Sequence, residues 1–291
     1  FQTKLDVIGN NIANVNTYGF KKGRVTFKDA ISQSISGASG SGTNRGGTNP
    51  KQVGLGSTLA TIDTVDTQSS MQTTGRTLDL AIDGDGYFAV QDGTGNTYYT
   101  RAGNFYLDNE GYLVNGDGLF VLGNNKQKIQ IKSSDYSSFT INSSGEIIGV
   151  PSSSGGGTGG TGGTGGTGGT DGTGGTGGTG GTGGTGGTGG TGTTNATTIS
   201  TLDIVKFNNP SGLTKVGGNL FQENSNSGTA QFGTASDGGR GSVNAGYLEM
   251  SNVDLSEEFT EMIVAQRGFQ ANTRIITTSD EILQELINLK R

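Results

Sequence analysis

The sequence predicts a mixed, mainly β fold in which an antiparallel β-rich domain is inserted between an N-terminal and a C-terminal α-helix. Three observations predict it. Apolar residues recur at three- and four-residue spacing through the last forty positions, from Asn252. Short alternating apolar runs, broken by Asp-Gly and Asn-Gly pairs, fill residues 77–151 and 197–250. Between these blocks, residues 156–191 are twelve successive triplets, all Gly-Gly-Thr except Asp171–Thr173.

The first helix is read from Leu5, Ile8, Ile12 and Val15, with Phe1 four positions before Leu5. Gly9, Asn10 and Asn11 weaken its propensity, so packing must hold it, and the Asn pair suits side-chain contacts between closely approaching helices. The Phe1 start predicts that further helix precedes it. Asn14–Gly19 breaks the helix, and Phe20, Val25 and Phe27 suggest an extended segment that completes an N-terminal unit over 1–35. Residues 36–76 read as a linker. Its first part, 36–50, is Gly, Ser, Thr and Asn without an apolar period and predicts a meandering loop, whereas TLATIDTV alternates as a strand does.

The first β block, 77–151, starts with Leu78, Leu80 and Ile82 in alternation, turns at Asp83–Gly86, resumes with YFAVQ and turns again at Asp92–Asn96. Further turns at 109–111 and 115–118 separate short strands, and Ile129, Ile131, Phe139, Ile141 and Ile147 continue them toward a sheet with one wet face. Asp83, Asp85, Asp92 and Asp108 raise the question of metal or catalytic chemistry. The twelve-residue calcium-loop spacing is missing, as are both phosphate-loop patterns, so turn formation is the expected role of these residues.

The Gly-Gly-Thr block, within an insertion over 152–196, has no apolar side chain for a core, and each glycine loses much backbone entropy on ordering. It is expected to be a solvated excursion interrupting one β domain, with Val150 and Ile199 as spatial neighbours. The second β block, 197–250, follows with Ile199, Leu202, Ile204, Val205 and Phe207, then Leu213, Val216, Leu220, Phe221 and Phe232.

The last unit, 251–291, is the long helix. Leu255, Phe259, Met262, Phe269, Ile276, Leu283 and Ile287 fall on one seam, interrupted by Gln266, Thr273 and Asp280. Asp254 is placed to cap it and Glu257 to complete a capping box, with Lys290 and Arg291 at the opposite end. A helix of this length spans about 50 Å at about 1.5 Å per residue. Its seam must therefore meet another helix or another subunit, and Leu5, Ile8, Ile12 and Val15 are the nearest candidates.

Composition narrows the function classes. Of 291 residues, 57 are Gly and only 29% are hydrophobic, which rations the core. The net charge of −6, with no basic run, argues against nucleic acid as a partner. The absence of Cys and His removes disulfides, thiol catalysis, imidazole bases and the common zinc sites. No run of eighteen apolar residues argues for membrane insertion. No catalytic, cofactor or metal site is expected, and the chain is read as a structural protein rather than an enzyme.

Four passages resemble motifs of the bacterial flagellar rod and hook family, in family order: DVIGNNIANVNTYGFKK at Asp6–Lys22, TLDLAIDGDGYFAV at Thr77–Val90, YTRAGNFYLDNEGYLV at Tyr99–Val114, and the C-terminal stretch from Ser251. The resemblance implies an axial protein exported through the flagellar type III apparatus without a cleaved signal. It implies that the terminal helices form an inner coiled-coil domain of a helical tube and the β-rich parts its outer layers. The implied partners are copies of the same chain and other axial proteins: rod, hook cap and hook–filament junction. The ending AQRGFQANTRIITTSDEILQELINLKR looks more like a hook subunit, of the short Gram-positive type, than a distal rod subunit, so a curved torque-transmitting hook is the expected function and a rigid rod the alternative. An extracellular adhesin would not explain the two amphipathic ends.

Overall fold

The computed structural model describes residues 1–41, 46–152 and 196–289. Helix α1 spans Gln2–Ala13 and helix α2 spans Leu255–Leu289, and the described residues between them form β structure, short 3-10 turns and loops. This is the mainly β architecture with helical ends that the sequence predicts. The structure of the Gly-Gly-Thr block lies outside the described residues.

The β domain is organised on the strand Tyr87–Gln91. It pairs along one edge with Thr97–Thr100, while its other edge is shared by Phe120–Gly123 and by Asp203–Lys206. The last of these strands lies beyond the insertion, so chain from both sides of the Gly-Gly-Thr block builds one sheet. Alternation places Phe88 and Val90 in a core with Leu80, Ile82, Phe105, Leu113, Ile147, Leu202 and Ile204. Tyr87 and Ala89 point the other way, into a second core with Tyr99, Leu122, Val205, Phe207 and Phe221. The central strand is thus covered on both faces. One wet face does appear in the three-stranded sheet of Tyr136–Ile141, Glu146–Pro151 and Thr197–Thr201, where only the Ile141, Ile147 and Gly149 side is buried.

The turns behave as their residue types dictate. Asp92 Oδ1 accepts the Thr94 and Asn96 amides at 2.8 and 3.0 Å, and Asp108 Oδ1 accepts those of Glu110 and Tyr112 at 2.9 and 2.7 Å. Asp83 accepts the Gln68 side-chain amide at 2.9 Å, and Asp85 lies 3.8 Å from Lys206. Gly86 has φ +138°, and a Cβ there would lie 2.3 Å from Ile204, so this turn admits only glycine against the sheet.

The linker expected over 36–76 is largely paired instead. Strand β1 (Gly23–Asp29) runs antiparallel to β4 (Ser57–Thr64), and β2 (Ser32–Ser36) to β3 (Lys51–Gly54), with a bridge between Ser39 and Thr48. Together these strands form one two-stranded ribbon. Among the described residues of 36–50, read as a loop, only Ser36 and the Ser39–Thr48 bridge are paired, and the strand read in TLATIDTV is β4.

Glu146–Pro151 pairs with Thr197–Thr201, with Gly149 opposite Thr197. The two sides of the insertion are neighbours, as expected, and the insertion starts and returns at adjacent strand ends. Deleting residues 156–191 is therefore expected to leave the β domain folded. Loop closure changes by only about 0.6 kcal/mol per doubling of length, so the thermal unfolding midpoint should move little. A large fall, measured by circular dichroism, would show that the block contributes to the fold.

Candidate assembly interface

Helix α1 is short, carries Gly9 and two adjacent asparagines, and is held by what it packs on. Ile8 is buried, Leu5 and Ile12 are half-buried, and Asn11 is 1% exposed. The Asn11 side chain donates to Gly23 O at 2.9 Å and to Glu258 Oε2 at 3.1 Å, and accepts the Gly23 amide at 2.9 Å. One amide thus ties α1 to both the ribbon and α2; of the Asn pair, Asn11 takes the expected inter-helix role and Asn10 is exposed. Lys4 pairs with Glu261 at 3.0 Å. Further along, a Cβ on Gly268 would lie 2.7 Å from the Phe1 ring, and that ring also packs 6.1 Å from Phe27 of β1.

The face of α2 that meets α1 is therefore Glu258, Glu261, Met262, Ala265 and Gly268. Its small residues permit close approach and its acids are paired. Of the expected seam on α2, only Met262 is half-buried by this packing. Leu255, Phe259, Phe269, Ile276, Leu283 and Ile287 are exposed, as are Ile263, Val264, Ile275, Ile282 and Leu286, which the seam left out. Length explains this: α1 has 12 residues against 35 in α2, about 18 Å against about 52 Å. From Phe269 to Leu289 every described residue of α2 is exposed. Val15 falls past the end of α1, in the turn after Asn14, and lines a shallow depression with Val253 and Leu255 instead of extending the α1 stripe.

Capping of α2 departs from expectation in one partner. Asp254 Oδ1 accepts the Ser256 and Glu257 amides at 2.8 and 3.4 Å, whereas Glu257 binds Lys22 at 2.7 Å. The salt bridge to the N-terminal segment takes the carboxylate that a capping box would use.

The ribbon carries a second set of open apolar residues, unforeseen in the sequence. Phe27 faces Leu59 and Val25 faces Ile62 across β1 and β4, and Ile31, Ile35, Val53 and Leu55 continue outward in exposed positions. The available signal was the pair of alternating runs around Val25–Phe27 and Leu59–Ile62, which bracket the polar stretch as two hairpin arms do.

Where the helices and ribbon leave the β domain, the packing turns ionic. Lys21 Nζ, 1% exposed, donates to Glu249 Oε1 at 2.7 Å and to Thr67 O at 2.8 Å. Arg101 donates to Glu249 Oε2 at 3.2 Å and to Gly84 O at 2.9 Å. Tyr87 donates its hydroxyl to Asp66 at 2.7 Å. Burial drives the Lys21 ammonium below its ordinary pKa, partly opposed by Glu249, and burial with the Asp66 charge pushes the Tyr87 phenol far up. Asn252 accepts the Lys22 amide at 2.8 Å and donates to Val65 O at 2.8 Å, which stitches the same segments again.

A β domain with helical ends held together by polar clasps, and with most of its longest helix's apolar face left open, has the build of a structural subunit of an assembly. Comparison with known proteins gives the same class. Residues 1–21 match the family described as flagella basal body rod protein, 81–149 the flagellar hook protein FlgE/F/G D1 domain, and 244–289 the flagellar basal body rod FlgEFG protein C-terminal. The chain is 55% identical over 292 residues to the flagellar basal-body rod protein FlgG of Bacillus subtilis, covering 100% of this chain and 95% of the relative. It is 33% identical to the FlgG of Borreliella burgdorferi, over 100% and 94% of the two chains, and 33% identical to the flagellar hook protein FlgE of the same organism, over 99% and 96%. The chain belongs to the flagellar rod and hook family of axial proteins.

Replacing Asn11 by Ala strands the Gly23 amide and one Glu258 oxygen, and is expected to cost about 2–4 kcal/mol. Hydrogen exchange should report faster exchange in α1 and the first turns of α2, with the sheet around Tyr87–Gln91 unchanged.

Proposed function

We propose that this chain is a subunit of the flagellar rod, of the kind named FlgG, that polymerises with copies of itself into part of the axial drive shaft. The observation that carries this reading is the 55% identity to a basal-body rod protein over 100% of this chain and 95% of the relative. The preference for a hook subunit drawn from the C-terminal motif thereby yields to the rod alternative. Alignment to the Borreliella hook protein takes 427 positions, so that relative carries much that this chain lacks. One observation favours the hook as a second reading: the hook protein of Treponema pallidum is 54% identical over 42% of this chain.

Both readings use the same mechanics. Copies arranged head to tail make heterologous contacts that do not close, and such contacts build a helical polymer. The open face of α2, including Phe259, Phe269, Ile276, Leu283 and Ile287, forms the holding contacts near the axis together with the half-buried Leu5 and Ile12, while Ile8 is already buried within the chain. Each fully buried large apolar side chain there contributes about 1.5–3 kcal/mol. Polar, Gly-rich β surfaces face outward. Other axial proteins adjoin the ends of the polymer, and export proceeds through the flagellar type III apparatus.

Immunogold labelling of intact flagella separates the readings: label on a short straight segment within the envelope is expected, and label along a curved tube outside it selects the hook. Phe269→Asp places a carboxylate in the holding face at a cost of about 3 kcal/mol or more, which raises the concentration needed for polymerisation at least about a hundredfold. Sedimentation of the purified variant checks this, and normal polymer yield would remove α2 from the contact. Removing residues 280–291 is expected to leave the β domain folded, by circular dichroism, and to abolish tubes in electron micrographs.

A further inference from the structure

Four ionisable side chains from four separate segments converge in the buried cluster of Lys21, Asp66, Arg101 and Glu249. Lys21 lies on the segment leading out of α1, Asp66 just past the end of β4, and Glu249 at the end of the strand leading to α2, whereas Arg101 belongs to the β domain itself. Each of the three projecting limbs therefore contributes one charge, and the domain they leave contributes the fourth. The backbone is drawn in with them. Gly19 donates its amide to Glu249 O at 2.8 Å, and at its φ of +68° a Cβ would lie 2.5 Å from Ala102 N, so the α1 segment rests directly on the Arg101–Ala102 backbone.

The cluster is poorly suited to be a simple source of stability. Taking charges out of water costs much of what their pairing returns, and apolar side chains of similar volume usually do as well. Among the described residues, Asp66 Oδ1 and Arg101 Nε are buried there without a hydrogen-bond partner, Asp66 Oδ1 standing 3.9 Å from Lys21 Nζ. What a directional set of charges supplies, and an apolar contact does not, is a single permitted geometry.

We propose that the Lys21–Glu249–Arg101–Asp66 cluster is an orienting clamp that sets α2 and the ribbon at one angle to the β domain. Glu249 is its centre, because it alone binds both cations: Lys21 through Oε1 and Arg101 through Oε2. The clamp thereby determines how the open apolar faces of both limbs are presented, while contributing little to the fold of the sheet.

The absence of cysteine from the chain makes this measurable with paired spin labels on the full-length protein. One pair, Asn109→Cys with Thr260→Cys, spans β domain and α2. A second, Asn109→Cys with Ser57→Cys, spans β domain and ribbon. Each should give one narrow distance distribution by pulsed electron resonance. Glu249→Gln keeps the side chain's shape but cannot hold two cations, and should broaden both distributions about twofold or split them, with the circular dichroism of the sheet retained. A broad distribution in the parent protein overturns the proposal. So does a Glu249→Gln variant that lowers the unfolding midpoint yet keeps narrow distances, since that is the signature of a structural role alone. If Glu249→Gln fails to fold, Arg101→Lys, which keeps the charge but loses the two-armed bridge from Glu249 to Gly84, is read by the same two outcomes.

Discussion

Lys21 and Glu249 stand 228 positions apart in the sequence and meet at 2.7 Å in a site closed to water. Their pairing requires the chain to leave the β domain and return to it on the same side, which is the condition for α1 and α2 to touch. Other contacts around the junction share this return: Asn252 reaches the Lys22 amide and Val65 O, and Glu257 reaches Lys22, within a few residues of Glu249. An unpaired charge in such a site costs about 3–5 kcal/mol, so the arrangement is close to all-or-none. The two helices of a flagellar axial protein are thus gathered by ionic chemistry at their roots, and their apolar chemistry is left for use further out.

That division runs along α2 itself. Its first turns are capped by Asp254, paired through Glu257, Glu258 and Glu261, and narrowed at Ala265 and Gly268 so that α1 can lie close. Beyond Gly268 the same helix shows Phe269, Ile276, Leu283 and Ile287 to solvent, with Thr273, Thr277, Thr278 and Ser279 returning their hydroxyls to the helix's own carbonyls. Those hydroxyls are satisfied locally and ask nothing of a partner. A neighbouring subunit would find an apolar surface whose Thr273 interruption is already paired. The ribbon of β1 to β4 repeats the pattern with strands: its ladder satisfies the backbone while Phe27, Ile31, Ile35 and Leu55 remain open.

The family relationship and the architecture agree because both rest on the same residues. The Asn and Gly of the N-terminal motif are Asn11, which bridges α1, α2 and the ribbon, and Gly19, which must pass against the backbone of Arg101 and Ala102. The Asp-Gly-Asp-Gly turn is needed because Gly86 lies against Ile204, and the Arg of the YTRAGN passage is Arg101 of the buried cluster.

By itself the sequence determined the two helices, the central strands, the Asp and Asn turns and the nested order of the parts, because 3.6-residue periodicity, two-residue alternation and turn chemistry are properties of neighbouring residues. It also placed the two sides of the insertion together, since both border strands. Only the tertiary structure decided which face of α2 is covered, and the answer, Glu258 to Gly268, was not the most apolar one. A covering partner of 12 residues selects for close approach and paired charge as well as for apolar area. The pairing of the ribbon was hidden for a related reason: the alternating runs at Val25–Phe27 and Leu59–Ile62 mark two strands, but a ladder largely open to solvent has no buried face that names its partner strand. The buried cluster was hidden most completely, because Lys21, Asp66, Arg101 and Glu249 are ordinary charged residues until the fold brings four distant segments to one point.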